Sequence, residues 1–211
     1  MNKIGVFGGT FNPVHKGHET AAVDFYNGLN LGKLLIIPSN IPPHKQSGAG
    51  ITPLMRYEMC RICFDSGKYG KYNIEVSDAE IKKDGVSYTF DTLKALREIY
   101  PPNSNLIYFL VGSDMFLYLE NWHRYKELLE MCVFTAVFRN RSAKDRDEVY
   151  KLRDRLTGRG YKIELLENAA LEISSTEIRE KIKNGDFEGL NGYLSPGVLD
   201  YIKERRIYVL Q

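Results

Sequence analysis

The sequence predicts an α/β fold: a doubly wound parallel sheet with helices on both faces, closed by further helices at the C-terminus. Three observations lead there. Short apolar runs alternate with segments of helical apolar spacing over most of the 211 residues, and strand–helix alternation builds parallel sheets. Hydrophobic residues make up 43% and charged residues 27% of the chain, a composition that can bury a core. No internal repeat or low-complexity tract points to a solenoid or a disordered chain.

The elements follow in order. Lys3–Phe7 reads as the first strand, after which Ala22, Phe25, Tyr26 and Leu29 recur at helical spacing. Leu34–Pro38 is a second apolar run. The polar, proline-rich stretch Ser39–Thr52 follows; its length suits a substrate loop better than a domain linker. A helix over Leu54–Phe64 places Met55, Met59, Ile62 and Cys63 on one face, and a strand lies near Tyr72–Val76. Phe90, Leu93, Leu96 and Tyr100 mark an amphipathic helix closed by Pro101-Pro102. Leu106–Val111 and Cys132–Phe138 are strand-like, Val149, Leu152 and Leu156 lie on a polar helix, and Tyr161–Leu166 is a last strand. Ser175–Lys183 and Pro196–Glu204 end the chain as helices.

Length fits one domain over 1–211, with 175–211 a C-terminal helical segment. No apolar run approaches the roughly 20 residues of a membrane helix, and the N-terminus lacks a signal-peptide pattern. Cys60 and Cys63 form a C-x-x-C inside a helix with no second Cys/His pair to complete a zinc site; two packed thiols in a reducing cytoplasm is the favoured reading. A net charge of +2 argues against a nucleic-acid binder. The alternating Lys144–Glu148 run reads as a solvated helix face.

Two segments carry chemistry. The first, Gly8-Gly9-Thr10-Phe11-Asn12-Pro13-Val14-His15-Lys16-Gly17-His18, follows the first strand and is neither a dinucleotide fingerprint nor a Walker loop. Gly8 and Gly9 let backbone amides approach an anion, a helix starting near Gly17-His18 points its positive end there, and His15 and His18 add imidazole donors. In the second, Ser174 and Glu177 fit a capping box. Ser175 and Arg179 share a helix face, so hydroxyls, free amides and a guanidinium meet at a positive helix end. Taken singly, each is also an ordinary capped turn.

The first segment resembles the G-G-T-F-D-P-V-H-x-G-H signature of the nucleotidyltransferase superfamily, with Asn12 standing where Asp is usual. Ile173–Arg179 resembles its I-S-S-T-x-x-R motif. Asn12 can make the same side-chain-to-backbone turn before Pro13. Further pieces resemble nicotinate-nucleotide adenylyltransferase: Pro42-Pro43-His44-Lys45, the Ser87–Leu93 run, and Gly112-Ser113-Asp114 followed by Trp122. The resemblance spans Lys3 to about Arg179 and implies a Rossmann-like sheet. It implies transfer of an adenylyl group from ATP to nicotinate mononucleotide, giving deamido-NAD and pyrophosphate in NAD biosynthesis. Catalysis falls to His15 and His18. ATP falls to Gly8, Gly9, Thr10, Phe11 and His18 in the first loop, Gly112 and Asp114 in the middle, and Ile173, Ser175, Thr176 and Arg179 near the end.

The acceptor falls to His44, Lys45, Arg56, Thr89, Trp122 and Arg139. A lone tryptophan is more often a core residue, but the polar neighbours of Trp122 place it near the surface, where it would stack, half-exposed, on nicotinate. Thr89 is as good a helix cap as a ligand, Asp114 suits either ribose hydroxyls or a cap, His44 and Lys45 suit either phosphate or solvent, and Arg139 stands evenly between acceptor ligand and strand end. Mg²⁺ is expected with ATP, held by phosphate and water, with no dedicated protein metal site. Small-molecule substrates are expected, with no nucleic-acid or membrane partner; oligomeric state is left open, a homo-oligomer included. The other readings are a sister enzyme such as pantetheine-phosphate adenylyltransferase, usually shorter and without the P-P-H-K loop, an ATP-binding module without turnover, and a tRNA-charging domain, for which the chain is short and near-neutral.

Overall fold

A computed structural model describes residues 1–42, 51–65, 67–83, 85–138, 143–167 and 173–209. The strands are β1 Asn2–Gly9, β2 Lys33–Pro38, β3 Ile74–Val76, β4 Asn105–Gly112, β5 Val133–Val137 and β6 Ile163–Leu166. The helices are α1 Lys16–Gly28, α2 Pro53–Phe64, α3 Thr89–Ile99, α4 Ser113–Leu117, α5 Tyr125–Met131, α6 Ala143–Gly158, α7 Ser175–Lys183 and α8 Pro196–Glu204. The strands form one sheet in the order β3-β2-β1-β4-β5-β6, and each neighbouring pair is parallel. This is the expected α/β, Rossmann-like arrangement.

Strands covered on both faces read as continuous apolar runs, and β2 shows why. Leu34 and Ile36 pack into a core shared with α1, α2, α7 and α8. Leu35 and Ile37 point the other way, into a core shared with α3, α4, α5 and α6. On β1, Phe7 and Val6 divide in the same manner. Gly5 lies under the turn that follows α1: a Cβ there would stand 2.4 Å from the Leu31 side chain and 2.9 Å from the Phe25 ring. Only glycine lets α1 lie this close to the sheet.

The strand order runs outward in opposite directions from β1 and β4. Ligands of open α/β sheets bind in the crevice at the carboxyl ends of such a pair. Here that crevice is flanked by the loop after Gly9 and by the turn at Gly112-Ser113.

Several local expectations need correcting. Helix α2 starts at Pro53, capped by Thr52, whose Oγ1 accepts the Met55 N–H at 3.1 Å. Its buried face is Arg56, Met59, Cys60, Cys63 and Phe64, whereas Met55 and Ile62 are half-buried and Leu54 is exposed. The face turned because an arginine, invisible to an apolar pattern, occupies an inward position. Thr89 is the first helical residue of α3 and not its cap, which is Tyr88. Strand β3 keeps only Ile74–Val76 of its expected range, and α1 begins at Lys16, just ahead of Gly17. Helices α4 and α5 were not foreseen; they are too short for a periodic signal. Of the proline-rich loop, Ile41 bridges to Val86, and residues 43–50 lie outside the described residues.

Candidate active site

The chain leaves β1 through a sharp turn. Phe11 takes a left-handed φ of +48°, and its ring is buried between Phe7 and His18, with centroids 5.3 and 5.0 Å away. Phe11 therefore shapes the loop from beneath. A Cβ on Gly9 would come 3.1 Å from that ring, so the loop closes on itself only around glycine.

His15 is the N-cap of α1 and forms a reciprocal capping box with His18. The His15 backbone N–H donates to His18 Nδ1 at 3.2 Å, which leaves the proton of a neutral His18 ring on Nε2. The two rings stack with centroids 3.7 Å apart. His15 is 4% exposed, while Gly8, Gly9, Thr10 and His18 are half-buried. The N-terminal end of the α1 dipole adds positive potential at the same place.

Groups from distant parts of the chain hold this loop. Arg56, fully buried, donates from both terminal nitrogens at 2.7 Å, to Thr10 O and to Asn40 O. It was expected in the acceptor site; its guanidinium instead ties the first loop to the root of the proline-rich loop, and burial lowers its pKa. Arg179 donates to Asn12 O at 2.8 Å and to Thr176 Oγ1 at 3.1 Å, and Ser175 Oγ donates to Pro13 O at 3.1 Å. The two motifs are thus in contact. Ser174 accepts the Glu177 N–H at 3.1 Å, while the Glu177 carboxylate takes the Tyr193 hydroxyl at 3.1 Å, so the capping box is one-sided. Thr176 is exposed, and Ile173 is buried in the core. Asn12 Oδ1 accepts the Tyr208 hydroxyl at 2.6 Å, a partner the sequence reading missed.

Across the crevice, Gly112 caps α4, Ser113 is buried and Asp114 is exposed in the first turn. Gly8 faces β4: a Cβ there would stand 3.3 Å from the Phe109 ring. Trp122 is half-buried, edge-on to Phe109 and Phe134 at 6.3 and 6.1 Å, and its Nε1 is buried without a hydrogen-bond partner among the described residues. Thr89 is half-buried. Its neighbour Tyr88 stacks with His123 at 4.6 Å, and Arg124 lies over the Phe90 ring at 3.8 Å. The structure therefore brings the Thr89 and Trp122 segments together, and neither Tyr88 nor His123 was singled out from sequence. Ser87 Oγ accepts the Asn40 N–H at 2.9 Å, which joins this wall to the same loop root. Behind it, Thr92 Oγ1 donates to buried Glu80 at 2.6 Å, and burial raises the Glu80 pKa. His44, Lys45 and Arg139 lie outside the described residues.

Among the described residues there is no group of three or more His, Cys, Asp and Glu side chains able to hold a metal, and no helix is long and apolar enough to cross a membrane. The three thiols are buried, and burial pushes all of them up in pKa, away from the reactive thiolate.

Sheet order and loop geometry define a class, the Rossmann-like nucleotidyltransferases. A family model described as cytidylyltransferase-like matches residues 6–181. A protein of Fusobacterium nucleatum named "Probable nicotinate-nucleotide adenylyltransferase" is 38% identical over 205 residues, covering 97% of this chain and 99% of its own. One of the same name from Oceanobacillus iheyensis is 34% identical over 208 residues, covering 99% and 97%. The fold is shared with a Plasmodium falciparum nicotinic acid mononucleotide adenylyltransferase solved with NaAD, at a TM-score of 0.78, 22% identity, and 99% and 98% coverage. The chain belongs to the nicotinate-nucleotide adenylyltransferase family.

Proposed function

We propose that the chain transfers the adenylyl group of ATP to nicotinate mononucleotide, releasing pyrophosphate and forming deamido-NAD. An acceptor phosphate oxygen attacks the α-phosphorus in line; the new O–Pα bond forms as the bond to the β-phosphate bridge breaks, and pyrophosphate leaves. The nucleophile is already anionic, so no protein base is required. Catalysis is then positioning and charge stabilisation.

The observation that carries this reading is the bond from the His15 backbone to His18 Nδ1. It fixes His18 as an Nε2–H donor at the crevice, beside glycine amides and a helix N-terminus. In this reading His15 and His18 meet the charge at the α-phosphate, with Gly8, Gly9 and Thr10. Arg179 is half-buried and Thr176 exposed beside the loop. With Ser175 they would hold the departing phosphates, and Asp114 the ribose. Phe11, Gly112, Ile173 and Arg56 shape the site from behind. Thr89 and Trp122 hold the nicotinate. His44 and Lys45 remain ligands for the acceptor's phosphate in this proposal, and Arg139 an acceptor ligand.

Mg²⁺ enters as part of the MgATP substrate, with phosphate oxygens and water as its ligands. Residues 1–211 are read as a single nucleotidyltransferase domain of a reducing cytoplasm, in keeping with its buried free thiols. The test is pyrophosphate release from MgATP with nicotinate and nicotinamide mononucleotides side by side. A larger kcat/KM for the acid is expected. No release with either acceptor would overturn the reading.

A further inference from the structure

The chain after α8 comes back to the nucleotide loop. Ile207 is buried, and its amide donates to Ile202 O at 3.0 Å, which pins the tail to the end of α8. Arg206 and Tyr208 on either side take left-handed φ values of +52° and +67°, which L side chains adopt only where surrounding contacts enforce them. The result aims the Tyr208 ring inward. Its hydroxyl donates to Asn12 Oδ1 at 2.6 Å and lies within electrostatic reach of Arg179 and Arg56. Burial pushes the hydroxyl pKa up, so it stays a donor at neutral pH.

The other side of Asn12 is also fixed: its backbone oxygen accepts from Arg179 at 2.8 Å. Two residues earlier Arg56 holds Thr10 O at 2.7 Å. Arg56 and Arg179 thus clamp the loop's backbone, and the Asn12 side chain between them is held by Tyr208. An asparagine presents a single acceptor oxygen, so this bond also sets which way its amide faces. The matched family region ends at residue 181, well before this tyrosine.

We propose that Tyr208 is a positioning residue of the nucleotide loop: through Asn12, its hydroxyl holds the Gly8–His15 turn in the shape that receives the triphosphate. The proposal rests on the reading of that loop as the ATP site. A tail that only packs, through Ile207, would not need the hydroxyl.

Tyr208→Phe removes the hydroxyl and keeps the ring. Calorimetric titration of the full chain with ATP and, separately, with nicotinate mononucleotide reads its effect. The dissociation constant for ATP should rise about tenfold, the worth of one well-placed hydrogen bond. That for nicotinate mononucleotide should move less than about twofold, within the scatter of a distant substitution. Asn12→Leu, similar in size and without the acceptor, should weaken ATP equally, and the double variant should lose no more than either single one. Parental ATP affinity in Tyr208→Phe, equal weakening toward both ligands, or losses that multiply in the double variant overturn the proposal. If Tyr208→Phe does not fold, Asn12→Leu decides alone: selective weakening of ATP supports the proposal and parental affinity overturns it. A parent chain that binds no ATP removes the nucleotide reading and this inference together; a parent that binds ATP just as well without the hydroxyl removes only the role of Tyr208.

Discussion

His18 uses its two ring nitrogens for different ends. Nδ1 accepts the His15 backbone N–H, which fixes the ring, so the neutral ring carries its proton on Nε2. Removing that ring should remove a preorganised charge-stabilising group: His18→Ala is expected to lower kcat by about 10²-fold or more, with little change in melting temperature. Near-parental turnover, measured as pyrophosphate release, would take His18 out of the mechanism. Trp122 has a buried Nε1 with no hydrogen-bond partner among the described residues. Trp122→Ala should raise KM for nicotinate mononucleotide more than KM for ATP. Equal changes would place it in the core alone, against Phe109 and Phe134. That His15 and His18 meet at the start of α1 was legible in the sequence because spacing and residue type are local properties. That Arg56 is a strut was not: nothing in a sequence says which carbonyls a guanidinium will find.

At the scale of elements, α2 and α3 each hide a polar group whose purpose lies elsewhere. Helix α2 buries Arg56 against the two loop carbonyls, and α3 holds Glu80 through Thr92. Burial raises the Glu80 pKa above its ordinary 4.5, against the opposing pull of Thr92, Ser87, Lys83 and Arg56. The folded protein therefore binds the Glu80 proton more tightly than the unfolded chain does. Its favourable contribution is fully present below that ordinary value and is lost as pH rises through the raised one. Glu80→Gln keeps an acceptor for Thr92 without the buried charge. Thermal melts at pH 4 and pH 8 should show the variant gaining on the parent as pH rises; a difference independent of pH would show that folding does not raise the Glu80 pKa. Both closing helices were legible to the residue, Ser175–Lys183 and Pro196–Glu204. One has a serine cap and the other a proline at its first position, and both have clear amphipathic spacing. Helix α2 was legible as a helix but not in its orientation.

For the whole molecule, the C-terminal segment is part of the core on which the first motif stands. Val198, Leu199, Ile202 and Ile207 are buried in the same cluster as Phe7, Phe11 and Ile178. Burying these side chains is worth on the order of 6–12 kcal/mol by transfer, comparable to the roughly 5–15 kcal/mol of an ordinary domain. Ending the chain before Pro196 should therefore abolish a cooperative urea transition, and with it pyrophosphate release. A truncated chain with a parental transition would show that the sheet stands without α8.

By itself the sequence determined the alternation of strands and helices, the two motifs and the apolar character of the central strands β2, β4 and β5, all of which depend on the periodicity and type of neighbouring residues. Tertiary structure decided the rest. It set the order β3-β2-β1-β4-β5-β6, which puts the loop after β1 beside the turn after β4. It brought Arg56, Ser175, Arg179 and Tyr208 onto one loop, and set Tyr88 against His123 beside Trp122. These contacts join residues far apart in the chain, and a buried donor is satisfied by whichever acceptor the fold delivers, a choice no local pattern encodes.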